Sequence, residues 1–137
     1  MRARLRSVWI LLVVAFALLL PASTAAASAG KIAFHDGYCS GTNTVNGTFT
    51  VTKYSGVYGT KLTLTVKGQG YHNGAWRTEV SFGTWSKSFA TSAKVSLSKF
   101  VSFKPGHAGR HRLSGVGKIW RGSMLVAKAA INTGTCG

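Results

Sequence analysis

The sequence predicts an all-β domain: an antiparallel sandwich of seven or eight short strands, closed by one disulfide. Three observations predict it. Apolar and polar residues alternate with period two through most of the chain after residue 30, as expected for half-buried strands. Turn-forming glycine, asparagine and proline separate these segments about every eight to twelve residues, a spacing typical of antiparallel sandwiches and barrels. No segment carries an apolar repeat of 3.6 residues long enough for a helix.

The first 29 residues have the pattern of a secretory signal peptide. Three arginines precede an unbroken apolar run over residues 8–20, and small residues follow as far as Ala29. This order matches the charged, apolar and cleavage regions of a signal, and the run is shorter than the about 20 residues that span a membrane. We therefore expect a secreted, extracellular protein without a transmembrane segment, whose mature chain is one domain over residues 30–137. A retained N-terminal anchor is the alternative.

Two cysteines, Cys39 and Cys136, lie near the two ends of the expected mature chain. In an oxidising compartment an isolated pair of this kind is most simply a disulfide. Two thiolates without histidines at ligand spacing leave tetrahedral zinc short of ligands. The pair therefore predicts a disulfide that closes a loop of nearly the whole domain.

The first central strands are predicted from two apolar rows. Phe49 and Val51 alternate with threonines, and the next row alternates with lysines and threonines. Both segments are rich in Val, Thr and aromatic residues, which favour strands. The second row consists of Leu62, Leu64 and Val66.

Two further segments continue the alternation. The first places Arg77, Glu79 and Ser81 on the face opposite a mostly apolar row. The second is interrupted by Lys99, which we interpret as a bulge. The two predicted inward rows are Trp76, Thr78, Val80 and Phe82, and then Val95, Leu97, Val101 and Phe103. The pattern does not decide whether residues 31–38 form a strand.

Three positions resemble the immunoglobulin-like sandwich. Trp76 stands near the start of a central strand, where such domains bury a tryptophan. Leu64 or Val66, with Leu113, would fill the places of the cysteine pair of antibody domains. The stretch His-Ala-Gly-Arg-His-Arg-Leu over residues 107–113 is similar to the Asp-x-Gly-x-Tyr-x-Cys corner that leads into their sixth strand. Histidines replace both the acid and the tyrosine of that corner.

The mature chain as a whole resembles small secreted immunoglobulin-like β-sandwich proteins of actinobacteria. The shared features are an Ala- and Arg-rich signal, one early cysteine and one cysteine at the extreme C-terminus. The resemblance contains no functional motif, so it implies fold and location only.

His107 and His111 raise the question of a metal site. Pro105 and Gly109 disfavour the helix that would bring two histidines four residues apart together, and on a strand they lie about 13 Å apart. A looped pair could chelate with His72 or His35 as a third ligand, but two adjacent arginines oppose a cation. We therefore interpret the stretch as a structural corner and predict no metal and no cofactor.

Hydrolytic catalysis finds little support in the composition. Glycosidases use two carboxylates, and the expected mature chain has only Asp36 and Glu79. Asp36 lies in a predicted turn beside Cys39, and Glu79 fits a solvated cross-strand partner. No G-x-S-x-G motif is present. We expect a protein that is not an enzyme.

The charge is the strongest signal for function. Of 17 lysines and arginines, 14 remain after residue 29 against two acids, a net charge of +12. The alternation places several cations on the outer face of the strand that would bury His111, with an aromatic side chain at the turn. The predicted binding residues are Arg110, Arg112, Lys118, Trp120, Arg121 and Lys128. On the other sheet, Lys61, Lys67 and Arg77 would also face outward.

Such a face suits anionic polymers such as teichoic acid, nucleic acid, acidic glycans or phospholipid headgroups. We predict a monomer that binds an anionic cell-wall polymer, glycan or phospholipid surface. No recognition helix or RNA-binding motif indicates specific nucleic-acid recognition. The alternative is that the charge only keeps the domain soluble.

Two other functions stay open at this point. One is a secreted cationic antimicrobial or toxin-like protein, although the usual amphipathic helix is missing. The other is a protein-binding or inhibitor module that presents the loops at residues 67–76 and 104–111.

Overall fold

The computed structural model describes residues 30–41 and 43–137, except the side chains of Asp36 and Thr91. The predicted signal peptide, residues 1–29, lies outside the described residues. Seven strands run through the described part of the chain. They are β1 (Gly30–Ser40), β2 (Thr44–Lys53), β3 (Gly59–His72), β4 (Ala75–Thr91), β5 (Val95–Phe103), β6 (His111–Arg121) and β7 (Met124–Asn132).

The strands form two antiparallel sheets, in the orders β1-β2-β5 and β4-β3-β6-β7. The chain therefore crosses between sheets after β2, after β4 and after β5, as in an immunoglobulin-like sandwich. This confirms the predicted fold class. Within the described ranges, no helix is long and apolar enough to cross a membrane.

The core lies between the sheets, where each strand contributes every second side chain. The predicted rows of β2 and β3 are buried, and the row of β6 begins with His111 and continues through Leu113 to Ile119. The fully buried side chains of this core include Phe49, Leu62, Leu64, Val66 and Leu113. One buried cation was not predicted: Lys53, whose ammonium donates to the carbonyl oxygens of Tyr54 and Val57 at 3.2 and 2.6 Å.

The disulfide between Cys39 and Cys136 is confirmed, with Cα atoms 5.8 Å apart. Cys39 belongs to β1 in one sheet, and Cys136 forms a backbone bridge with His111 in the other. The disulfide therefore joins the two sheets at the end of the sandwich where β6 begins.

Several local predictions need correction. Residues 31–38 do form a strand, because β1 pairs with β2. The β2–β5 register is unbroken through Lys99, so no bulge forms there. Leu64 and Val66 are buried, but they lie on β3, which is in the same sheet as Leu113. They therefore do not occupy the two sides of a cross-sheet pair.

The prediction that Trp76 is buried in the core was also wrong. Trp76 pairs with Tyr71 on the outer face of β3, and the aromatic side chains of β4 that pack on the core are instead Phe82, Trp85 and Phe89. Residues 67–76 are not an irregular loop either. They form a β-hairpin whose turn, Asn73-Gly74, has φ values of 49° and 83°, as a tight two-residue hairpin turn requires.

Candidate functional site

The outer face of the four-stranded sheet carries an array of cations, which we call the basic face. It consists of outward side chains on three adjacent strands, because the inward positions of β3 and β6 are the buried ones. Its members are Lys61, Lys67, Arg112, Lys118 and Lys128. Lys118 lies directly opposite Lys128 on β7, and Lys61 lies opposite Trp120.

The structure brings most of the predicted binding residues to this surface. Arg112, Lys118 and Lys128 belong to the basic face, and Trp120 lies between its cations. Arg110 directly precedes β6, and Arg121 is the last residue of β6. The prediction that Lys61 and Lys67 lie on the other sheet was wrong, because β3 is the neighbour of β6. Arg77 pairs with Gly70 in the inward row and does not belong to the face.

Aromatic rings support the cations at one end of the basic face. The guanidinium carbon of Arg112 lies 4.1 Å from the centroid of the Trp76 ring, and that of Arg110 lies 4.4 Å from Tyr71. The two rings contact each other edge to face at 5.2 Å. Cation–π contacts at such sites stabilise by about 0.5–2 kcal/mol each. The displacement of Trp76 from the core therefore supplies a platform that holds both arginines.

Arg112 is the most tightly held of these cations. Its Nε donates to the side-chain oxygen of Gln69 at 2.9 Å. Desolvation by partial burial lowers the pKa of its guanidinium from the ordinary value. A cation that has already lost part of its water shell loses less on binding an anion.

Trp120 lies near the other end of the face. The ammonium nitrogens of Lys61 and Lys118 both lie 5.6 Å from the Trp120 ring centroid. The Trp120 indole N–H donates to Thr63 Oγ1 at 3.1 Å, which fixes the ring. Arg121 lies over Tyr58, 5.0 Å from its centroid. Trp120 is half-buried, so it flanks the cations and is not a projecting ring.

On the inner side of the same sheet lies a group that we call the histidine–glutamate cluster: His72, Glu79, His107 and His111. His72 ends β3, His111 begins β6, and His107 lies in the segment that crosses between the sheets. Three of the four histidines of the chain and one of its two acids therefore meet at one end of the sandwich.

A β-bulge directs Glu79 into this cluster. Val80 pairs with Gly68 and Thr78 pairs with Gln69, so Glu79 is an extra residue in the ladder. Such a bulge re-aims a side chain, and here it turns Glu79 toward the inward row that contains Gly70. A Cβ atom on Gly70 would overlap the Glu79 carboxylate. The bulge and this glycine together make room for a carboxylate that simple alternation places outside.

The distances within the cluster are short. Glu79 Oε1 lies 2.5 Å from His72 Nε2 and 2.8 Å from His107 Nε2. Glu79 Oε2 lies 3.7 Å from His111 Nε2, which is too long for a hydrogen bond. Glu79 lies on the edge strand β4 and is exposed as a whole residue, while its side chain is 18% exposed. Glu79 is therefore an exposed residue that pairs with His72 on the neighbouring strand, and it pairs in addition with His107 in the segment between the sheets.

The electrostatics of the cluster favour the ionised carboxylate. Burial raises the pKa of Glu79, but hydrogen bonds from His72 and His107 outweigh it, and the net pKa lies below the ordinary value. The pKa of His107 is raised, first by its hydrogen bond to the Ala108 carbonyl and then by Glu79. Nδ1 of His107 donates to that carbonyl at 3.0 Å, so its Nε2 is the atom directed at Glu79.

His111 differs from the other two histidines. Its side chain is 0% exposed, and neither ring nitrogen has a hydrogen-bond partner among the described residues. The ring packs edge to face on Phe103, with centroids 5.8 Å apart. The predicted corner is present, since residues 104–110 carry the chain from β5 to β6. The His111 ring, however, makes no hydrogen bond of the kind that the corner tyrosine of immunoglobulin-like domains makes.

Two kinds of chemistry are open to this cluster. Its ligand atoms on His72, Glu79 and His107 all lie within 4.8 Å of one another, close enough to hold one metal ion. Without an ion, the carboxylate is an acceptor shared by two imidazoles. The sequence signal that could have found the cluster is the hairpin at Asn73-Gly74, which brings His72 near Glu79. The bulge itself leaves no such signal.

Comparison with known proteins adds little to this geometry. No family model matches the chain, and no curated protein matches it. Among solved structures, it is similar to a Bacteroides fragilis protein named as a β-galactosidase, with 15% identity and a TM-score of 0.46. The match covers 77% of this chain but only 16% of that protein. This likeness carries no functional argument.

Proposed function

We propose that this protein is a secreted, non-enzymatic β-sandwich that binds an anionic cell-surface or extracellular polymer through its basic face. The observation that carries the proposal is the direct pairing of Lys118 with Lys128 across β6 and β7. Like charges directly opposite each other destabilise a sheet. A stability cost at this position is understandable if the two ammonium groups bind a common anionic ligand.

The dimensions of the face suit a linear ligand. Arg112 and Lys118 are six residues apart on β6, or about 20 Å at the rise of a strand. Lys128 lies directly opposite Lys118 on β7, about 5 Å away, and Lys61 lies diagonally across from Lys118 on β3, opposite Trp120. Repeating phosphates or carboxylates of a polymer could therefore contact several cations at once, and each contact releases condensed counterions.

Salt-dependent retention on immobilised heparin and on purified cell wall tests this proposal. The test variant replaces Arg112, Lys118 and Lys128 with Gln. The matched control replaces Lys87, Lys94 and Lys104 with Gln, which removes the same charge from exposed positions elsewhere. Both variants have the same net charge, so any difference in their retention depends on where the removed cations lie on the protein.

We expect the slope of log affinity against log salt to become shallower by about two to three units in the basic-face variant, since each lost contact contributes about 0.7–0.9. The control variant should keep most of the wild-type slope. Equal slopes in the two variants would mean that the charge acts diffusely, and the proposal would then be wrong.

A further inference from the structure

We propose that the histidine–glutamate cluster is a binding site for one divalent transition-metal ion of the Zn²⁺ type, held by His72, Glu79, His107 and His111. This inference departs from the sequence-based expectation of no metal, and it is independent of polymer binding on the opposite face.

The donor set fits such an ion. Three imidazole nitrogens and one carboxylate oxygen form a four-coordinate set that Zn²⁺ accepts. Imidazole suits Zn²⁺, Cu²⁺ and Ni²⁺, whereas Mg²⁺ and Ca²⁺ prefer oxygen donors. The chemistry therefore selects a transition metal over the alkaline-earth ions.

The spacing of the donors is close to what a tetrahedral ion requires. With metal–ligand bonds of about 2.0–2.2 Å, neighbouring donor atoms lie about 3.3 Å apart. The present distances from the Glu79 carboxylate oxygens are 2.5, 2.8 and 3.7 Å. The ligand atoms of His72, Glu79 and His107 lie within 4.8 Å of one another, so side-chain torsions would bring these three to a common ion. His111, whose Nε2 lies 3.7 Å from the other carboxylate oxygen, would have to turn toward the ion to complete the set.

The buried ring of His111 is the second, independent observation. A buried polar group without a hydrogen-bond partner is costly, yet both nitrogens of this ring lack one. Its Nε2 lies on the side of the Glu79 carboxylate. A bound ion would satisfy that nitrogen.

The surroundings hold the donors in place. The Nδ1–H of His107 donates to the Ala108 carbonyl, which presents Nε2 as the ligating atom, as is usual for metal-binding histidines. The backbone of His111 is paired with Cys136 of the disulfide. Arg110 and Arg112 stack on Tyr71 and Trp76 on the outer side of the sheet. Their charges are thereby turned away from the cluster, so they do not oppose a cation as the sequence suggested.

The test is titration of the tag-free mature chain with Zn²⁺, monitored by calorimetry in a non-chelating buffer, with Mg²⁺ and Ca²⁺ as comparison ions. We expect one Zn²⁺ per chain and no binding of the comparison ions. Glu79→Gln and His107→Ala should each weaken Zn²⁺ binding by about 100-fold or more. His35→Ala is the matched control, because His35 lies on β1 and contacts Thr50, and it should bind Zn²⁺ like the wild type.

Two further variants keep the test decisive if a ligand substitution unfolds the chain. His111→Leu replaces the buried ring with an apolar side chain, so the metal-free protein should remain folded while losing Zn²⁺ affinity. Gly70→Ala removes no ligand but displaces the carboxylate, and should weaken binding about tenfold or more. Absence of Zn²⁺ binding in the wild type would overturn the inference, as would equal affinity of Glu79→Gln and His35→Ala.

Discussion

The outer faces of the two sheets have the same backbone geometry but different chemistry. On the three-stranded sheet, hydroxyl groups pair across strands: Thr50 Oγ1 lies 2.8 Å from Ser98 Oγ, and Thr52 Oγ1 lies 3.0 Å from Ser96 Oγ. On the four-stranded sheet, the corresponding outward positions carry the five cations of the basic face. We refer to the first surface as the hydroxyl face.

This difference bears directly on why the chain is basic. Charge that served only to keep the domain soluble would not need to avoid one face. The only lysine on the outward positions of β1, β2 and β5 is Lys31, which pairs with Thr52. Uneven distribution of charge, and not its amount, is therefore the feature that supports a binding surface.

The largest effect that we predict is on the connection between the sheets. Replacing Cys39 and Cys136 with Ala should lower the free energy of unfolding by about 4–5 kcal/mol, because the crosslink closes a loop with a sequence separation of 97 residues. Denaturant unfolding of the oxidised wild type and the double variant measures this loss. An unchanged midpoint would mean that packing alone holds the sheets together.

A smaller effect should distinguish the two faces at equivalent positions. Arg112→Ala removes the stacking on Trp76 and the hydrogen bond to Gln69, and should lower the unfolding free energy by about 1 kcal/mol. It should also weaken polymer binding. Thr50→Ala on the hydroxyl face should destabilise by a comparable amount while leaving retention on heparin unchanged. Loss of heparin retention in Thr50→Ala would contradict the assignment of polymer binding to the basic face.

The smallest predicted effect concerns the paired lysines. Lys128→Glu turns a like-charge pair into an opposite-charge pair and should raise the unfolding free energy by a few tenths of a kcal/mol, up to about 1. The same substitution should reduce heparin retention. Ser98→Glu, which places an acid on the hydroxyl face and breaks the contact with Thr50, should not stabilise. The comparison uses the thermal and denaturant midpoints of the two variants. A Lys128→Glu variant that is less stable than the wild type would contradict the repulsion that we assign to Lys118 and Lys128.

Much of the fold follows from the sequence because alternation is a local property. The buried rows that contain Phe49, Leu64 and Leu113 were predicted correctly. Burial of one face of a strand determines which alternate residues point inward. The disulfide followed from the presence of only two cysteines. The neighbours of each strand did not follow, because pairing joins segments that are distant in the chain. For that reason Lys61 and Lys67 were assigned to the wrong sheet.

The histidine–glutamate cluster was missed for a different physical reason. A bulge adds one residue to a strand and reverses the alternation beyond it, and nothing in the alternating pattern reveals the reversal at Glu79. The same reversal carries Trp76 to the outer face, where it supports Arg112. One extra residue on β4 therefore accounts for both the misplaced tryptophan and the unexpected carboxylate.

The central claim, that the basic face and not the overall charge binds the polymer, is most directly tested by lysine footprinting. The chain over residues 30–137 would be acetylated with and without heparin at moderate salt, and the modification of each lysine quantified by mass spectrometry. We predict several-fold protection of Lys61, Lys118 and Lys128, with little change at Lys94 and Lys104. Uniform protection of all lysines, or protection confined to Lys94 and Lys104, would contradict the account.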